Sequence, residues 1–109
     1  LDVDKMKAAT SYLIGQHDFA SFCGAKAQVK TTIRTVTGID VWRDGDIVTI
    51  RVTGTGFLYN MVRILVGTLV EVGRGDRAVG SVPALFGGKR EQAGFLAPGQ
   101  GLCLMEVFY

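Results

Sequence analysis

From Gly54 to Gly73 the chain reads GTGFLYNMVRILVGTLVEVG, and Leu58, Met61, Val62, Leu65, Leu69 and Val72 recur at spacings of three and four. That period places the six side chains along one side of a helix and predicts that they face a core. Arg63 falls outside the stripe, with Tyr59, Asn60, Val66 and Gly67 one turn away on either side. A second helix is predicted over Asp2 to Gly15. Asp2 or Asp4 can cap its free amides, Val3, Met6, Ala9, Leu13 and Ile14 make an apolar side, and Gly15 ends it. The stretch His17 to Gly24 is too short for a long element, and its Phe19 and Phe22 are expected to anchor a turn or short helix to the core.

Lys30 to Trp42 and Asp46 to Thr55 alternate in β-branched residues on either side of Asp44-Gly45, a dipeptide that favours a two-residue hairpin turn. Pairing outward from Asp44-Gly45 puts Thr37, Ile39 and Val41 on one face with Val48, Ile50 and Val52, the predicted core side. The other face carries Arg34, Asp40, Trp42, Thr49, Arg51 and Thr53, which suits plain solvent or the floor of a polar groove. Beyond the long helix, Gly80, Pro83, Gly87 and Gly88 interrupt the pattern. Only a short helix from Val82 to Phe86 is predicted there, with Val79, Val82, Leu85 and Phe86 available to a core. Ala97-Pro98-Gly99-Gln100-Gly101 reads as a loop before a final strand, Leu102 to Tyr109, whose core-like face is Cys103, Met105, Val107 and Tyr109. The order of elements predicts an α+β fold, an antiparallel β-sheet with helices packed on one face.

With 109 residues and 48% hydrophobic content, the chain suits one domain with a single core. Its longest apolar run is broken at Asn60 and Arg63, well short of the roughly 20 residues needed to cross a bilayer, so no membrane partner is expected. A net charge of +2 permits RNA without demanding it, and the placement of Lys26, Lys30, Arg34, Arg51 and Arg63 matters more than the sum. Cys23, Cys103 and the single histidine, His17, make no metal-ligand spacing, and both cysteines read as reduced, buried thiols of a cytosolic protein. Without an initiator methionine or a leader, the sequence opening on Leu1-Asp2-Val3-Asp4 reads as a fragment of a longer chain.

Little in the chain offers chemistry by itself. Gly54-x-Gly56 has Tyr59 at the third glycine position and follows a hairpin strand, which excludes a dinucleotide fingerprint. One histidine cannot supply a catalytic triad, and His17 reads as a capping or packing residue. None of the seven aspartates stands in a nucleophile's context. Arg63 has two readings. It pairs with a neighbouring loop carboxylate, or it is a pocket cation near the amino end of its helix, with Gly54 and Gly56 allowing close backbone approach.

The run Gly54 to Arg63, continuing through Gly67 and Glu71 to Gly73, resembles the signature of the TruA family of tRNA pseudouridine synthases. Ala93-Gly94-Phe95-Leu96-Ala97-Pro98-Gly99-Gln100-Gly101-Leu102, with Leu104 to Tyr109, resembles that family's carboxy-terminal loop and strand, and His17 to Phe22 its helix exit. The similarity runs in order along essentially the whole chain. It implies residues 1–109 of a carboxy-terminal half-domain, part of an enzyme that isomerises uridine to pseudouridine in the anticodon stem-loop of tRNA. It further implies no cofactor, a cytoplasmic location and a homodimer for the whole enzyme. The family's catalytic aspartate belongs to an amino-terminal motif that this sequence does not contain, so the fragment is expected to be inactive alone. By resemblance, Arg63 is the arginine that pairs with that aspartate, and Leu102 the apolar residue beside it and the flipped base. Lys30, Arg34 and Arg51 are expected to contact RNA phosphates, with Tyr59 and Asn60 lining the same cleft. Leu96 stands where many relatives have threonine, and the glycines and proline between Gly80 and Gly88 weaken a helix usual in the family. The alternative is a non-catalytic RNA-binding or dimerisation module that keeps the fold, distinguished by whether the parent chain carries the aspartate.

Overall fold

The computed structural model describes residues 2–23, 31–45, 47–58, 60–88, 90, 93–94 and 103–108, the last stretch by its backbone. Asp2 caps helix α1, Val3–Leu13, its carboxylate accepting the Lys5 amide at 3.1 Å. That bond satisfies an amide which the first turn leaves without an intrahelical partner. Met6, Ala9 and Leu13 are fully buried, as the apolar spacing predicts, but Ile14 is 39% exposed because the helix has already ended there in extended backbone. Gly15, at φ +110°, turns the chain into strand β1, Gly15–Asp18. The sequence pattern did not announce β1, which is only four residues long and too brief for alternation to register. Phe19 and the 3₁₀ turn Ala20–Phe22 follow, with Phe19 and Phe22 fully buried as anchors.

Strands β2, Ile33–Asp44, and β3, Ile47–Gly54, form the expected hairpin. Asp44 pairs with Ile47, so the turn comes one residue later than the Asp-Gly signal suggests, and Gly45 supplies the positive φ of +62°. This moves the pairing by two positions, which preserves the faces: Val41 stands opposite Ile50 and Ile39 opposite Val52, all four buried. Thr37 is a correction. A bulge between Val36 and Gly38 leaves Thr37 as the extra residue, exposed, and Val36 takes the core position instead.

Helix α2, Met61–Arg74, begins after the loop that follows β3, and all six residues of the predicted stripe, Leu58 to Val72, are buried. Its end is set by Gly75 at φ +82°, where the Gly75 amide bonds the Val72 carbonyl and the Asp76 amide the Glu71 carbonyl. The Asp2 amide donates to the Gly73 carbonyl at 2.8 Å, tying the start of α1 to the end of α2. The segment Val79–Leu85 is a 3₁₀ helix containing Pro83, longer than the predicted Val82–Phe86 turn. Val82 and Leu85 are buried, and Val79 and Phe86 pack against the same core.

Strand β4, Cys103–Phe108, completes a four-stranded sheet in the order β1-β2-β3-β4. The first three strands are antiparallel, as expected, while β4 runs parallel to β3, with Cys103 opposite Val48, Met105 opposite Ile50 and Val107 opposite Val52. A parallel neighbour requires a crossover, which α2 and the 3₁₀ helix provide. One apolar cluster joins α1, α2, Phe19, Phe22, Val82 and Leu85 to Val36, Ile39, Val41, Val48, Ile50 and Val52 of the sheet. Cys23, expected to be buried, is half-buried at the edge of this cluster, and the side chain of Cys103 lies outside the described residues. No helix among the described residues is long and apolar enough to cross a membrane.

Leu65 is fully buried in the middle of α2. Leu65→Ala is expected to lower the unfolding free energy by about 3 kcal/mol in urea titration, while Lys7→Ala on the exposed side of α1 changes it by less than about 0.5 kcal/mol.

Candidate functional site

The first turn of α2 carries the candidate cation. Arg63 is its third residue and half-buried, outside the stripe that enters the core. Asn60 precedes the helix at φ 60° and ψ 9°, the one non-glycine residue with positive φ among those described. Asparagine tolerates this left-handed geometry better than most side chains, which explains its use at this corner. The Asn60 carbonyl accepts the Ile64 amide at 3.0 Å, and the Met61 amide donates to Leu58, so backbone bonds rather than a side-chain cap hold the turn. Asn60 immediately precedes the helix, and Arg63 lies in its first turn. A guanidinium near the positive end of a helix dipole is electrostatically disfavoured, and an anion brought beside it relieves that cost.

The glycines before the helix have separate explanations. Gly54 ends β3, and a Cβ there would stand 2.8 Å from the Thr35 carbonyl oxygen and 3.0 Å from the Phe57 ring. Close packing onto β2 therefore requires this glycine. A Cβ on Gly56 would meet nothing within 4 Å, so close packing gives no reason for glycine there.

Arg51 lies on the open side of the hairpin, half-buried, opposite Asp40, with its guanidinium carbon 5.3 Å from the centre of the Trp42 ring. Such a stack orders the guanidinium. The sequence pattern puts Trp42 on this face with Arg51 but gives it no role in binding; the available signal was its diagonal position relative to Arg51 across the hairpin.

Arg34 does not share that open side. It precedes Val36 by two residues on the near side of the bulge, so alternation places it with Val36 on the helix-covered face. Its cross-strand partner His17 is stacked on Phe86, with ring centres 4.1 Å apart. The Arg34 guanidinium donates to the Thr31 and Ile33 carbonyls at 2.8 and 2.7 Å. Joining Arg34 to Arg51 on one wet face is thus corrected: Thr37 inverts the alternation between them. His17 has the packing role expected of it, with Nε2 3.0 Å from the Ile14 carbonyl and its ring edge-on to Phe19. Lys30, Tyr59 and Leu102 lie outside the described residues.

Comparison with known proteins places this chain in a family. A family profile described as tRNA pseudouridine synthase matches residues 9–109. The tRNA pseudouridine synthase A of Geotalea uraniireducens is 50% identical over the whole of this chain, which spans 45% of that relative. The protein of the same name from Brevibacillus brevis is 52% identical, again over the whole chain and 45% of the relative. The one from Halalkalibacterium halodurans is 50% identical over 94% of this chain and 39% of its own length. The chain therefore spans less than half the length of these relatives, and on this match it belongs to the tRNA pseudouridine synthase family.

Proposed function

We propose that this chain forms the carboxy-terminal wall of a tRNA pseudouridine synthase active site and acts only together with the segment that carries the nucleophilic aspartate. The observation that carries this reading is the first turn of α2, where Arg63 sits half-buried beside left-handed Asn60 within the matched region. In the reaction, a uridine leaves the stack, its base is detached and rejoined through carbon, and a carboxylate must stay ionised and aimed while this happens. Arg63 meets that need by stabilising the charged form of the aspartate, and Leu102 keeps the apolar side of the base covered. The Arg51–Trp42 stack supplies a cation on the open sheet face for the RNA backbone. Lys30, Tyr59 and Asn60 extend the RNA contacts, and Arg34 adds one at the opposite side of β2. The substrate is the anticodon stem-loop of tRNA. The whole enzyme is a homodimer in the cytoplasm, on the strength of the family resemblance.

The chain assayed alone on unmodified tRNA is expected to form no pseudouridine; sustained turnover would mean that the nucleophile lies within it. In the complete synthase, Arg63→Ala is expected to reduce turnover about a hundredfold or more with circular dichroism and melting unchanged. Wild-type turnover by the folded variant would remove the role given to Arg63. Arg51→Ala is expected to weaken tRNA binding and to reduce the slope of log affinity against log salt by about one. The emission of Trp42, the single tryptophan, should change in the same variant because its stacked cation is lost.

A further inference from the structure

Gly67 lies on the side of α2 that also carries Arg63, Val70 and Arg74, by the period of the helix. Those three residues are partly or fully exposed, yet Gly67 is buried. The neighbouring Thr68 is fully buried as well. Their cover is the short turn Ala93-Gly94. The Gly94 amide donates to the Thr68 hydroxyl oxygen at 2.9 Å, and that hydroxyl donates to the Ile64 carbonyl at 2.9 Å. The Gly94 carbonyl accepts an N–H of Arg90 at 2.8 Å, while the Ala93 amide bonds the Arg90 carbonyl, so the turn is closed upon itself. Contact with the helix is backbone to backbone. A Cβ on Gly94 would stand 2.4 Å from the Thr68 nitrogen, 2.6 Å from its Cα and 2.7 Å from the Gly67 carbonyl carbon, none of which can yield without deforming α2.

We propose that Thr68, Gly94 and Arg90 form a clasp that positions Arg63 for the reaction, an inference that rests on the function proposed above. The clasp fastens the chain to α2 one turn beyond Arg63, through the carbonyl of the residue that follows it. Arg63 is carried by α2, whose placement the clasp holds. Moving α2 relative to the Ala93-Gly94 turn breaks a buried hydrogen bond. Thr68 and Gly94 are thus positioning residues, acting through the placement of Arg63 rather than by touching the substrate. A displacement of about 1 Å at a reacting centre can cost on the order of a hundredfold in rate.

The test uses the complete synthase and Thr68→Val, which keeps the side-chain shape and removes the hydroxyl. Turnover should fall about tenfold or more, KM for tRNA should stay within about twofold, and Thr68→Ser should restore turnover. Gly94→Ala should reproduce the fall, and the double variant should be no slower than Gly94→Ala alone, because both changes open one contact. Thr68→Val turning over like wild type, losing only melting temperature, or adding its loss to that of Gly94→Ala would overturn the clasp. A wild-type synthase that forms no pseudouridine would remove the proposed function and the clasp together, whereas an active wild type with an unaffected Thr68→Val removes the clasp alone.

Discussion

Apolar burial of α2 on nearly every side is the constraint on which the rest of the molecule depends. From Met61 to Leu69 only Arg63 escapes full burial. A helix so enclosed must be covered by several elements at once, since each can shield only one stripe of it. The sheet face containing Ile39, Val41, Ile50 and Val52 contributes to that cover, as do α1 through Met6 and Leu13 and the aromatic anchors Phe19 and Phe22. The turn at Gly94 closes part of the outer side. Each buried aliphatic side chain contributes on the order of 1.5–3 kcal/mol, so the enclosure outweighs any single hydrogen bond in the chain.

That enclosure gives Arg63 its character. A guanidinium on the half-buried first turn of an otherwise enclosed helix is held by that helix, and its stem is flanked by packed neighbours. The corner at Asn60 fixes where the helix begins, and the Gly75 end fixes where it stops. A reacting group is placed best on an element whose own position is over-determined, and α2 is such an element. By contrast Arg51 sits on a strand with one open face, where a ring stack rather than enclosure orders it. The two cations are therefore ordered in different ways, one by the enclosure of its helix and the other by a ring stack.

Much of the fold was legible in the residues because it rests on local, periodic signals. The stripe of α2, the Asp2 cap, the anchors Phe19 and Phe22, the packing role of His17 and the hairpin all follow from spacing and capping chemistry. The sequence motif around Arg63 was legible as well, because arginine in an apolar helix demands an explanation. Arg34 was misplaced for an equally physical reason. Alternation carries forward only while the ladder is regular, and one extra residue at Thr37 inverts it. Trp42 under Arg51 and Gly94 on Thr68 were invisible because each joins residues whose meeting depends on pairing or packing across the chain.

The sequence by itself determined which residues are apolar in a helical or strand period, where helices can start and stop, and that Arg63 stands apart from the stripe around it. Local dihedral preference and hydrophobic spacing suffice for that. Tertiary structure alone decided that Asp44 pairs with Ile47, that β4 lies parallel to β3, and that Gly67 is covered by Gly94. These outcomes depend on hydrogen bonds and close contacts between distant segments, whose free energy exists only once the segments have met.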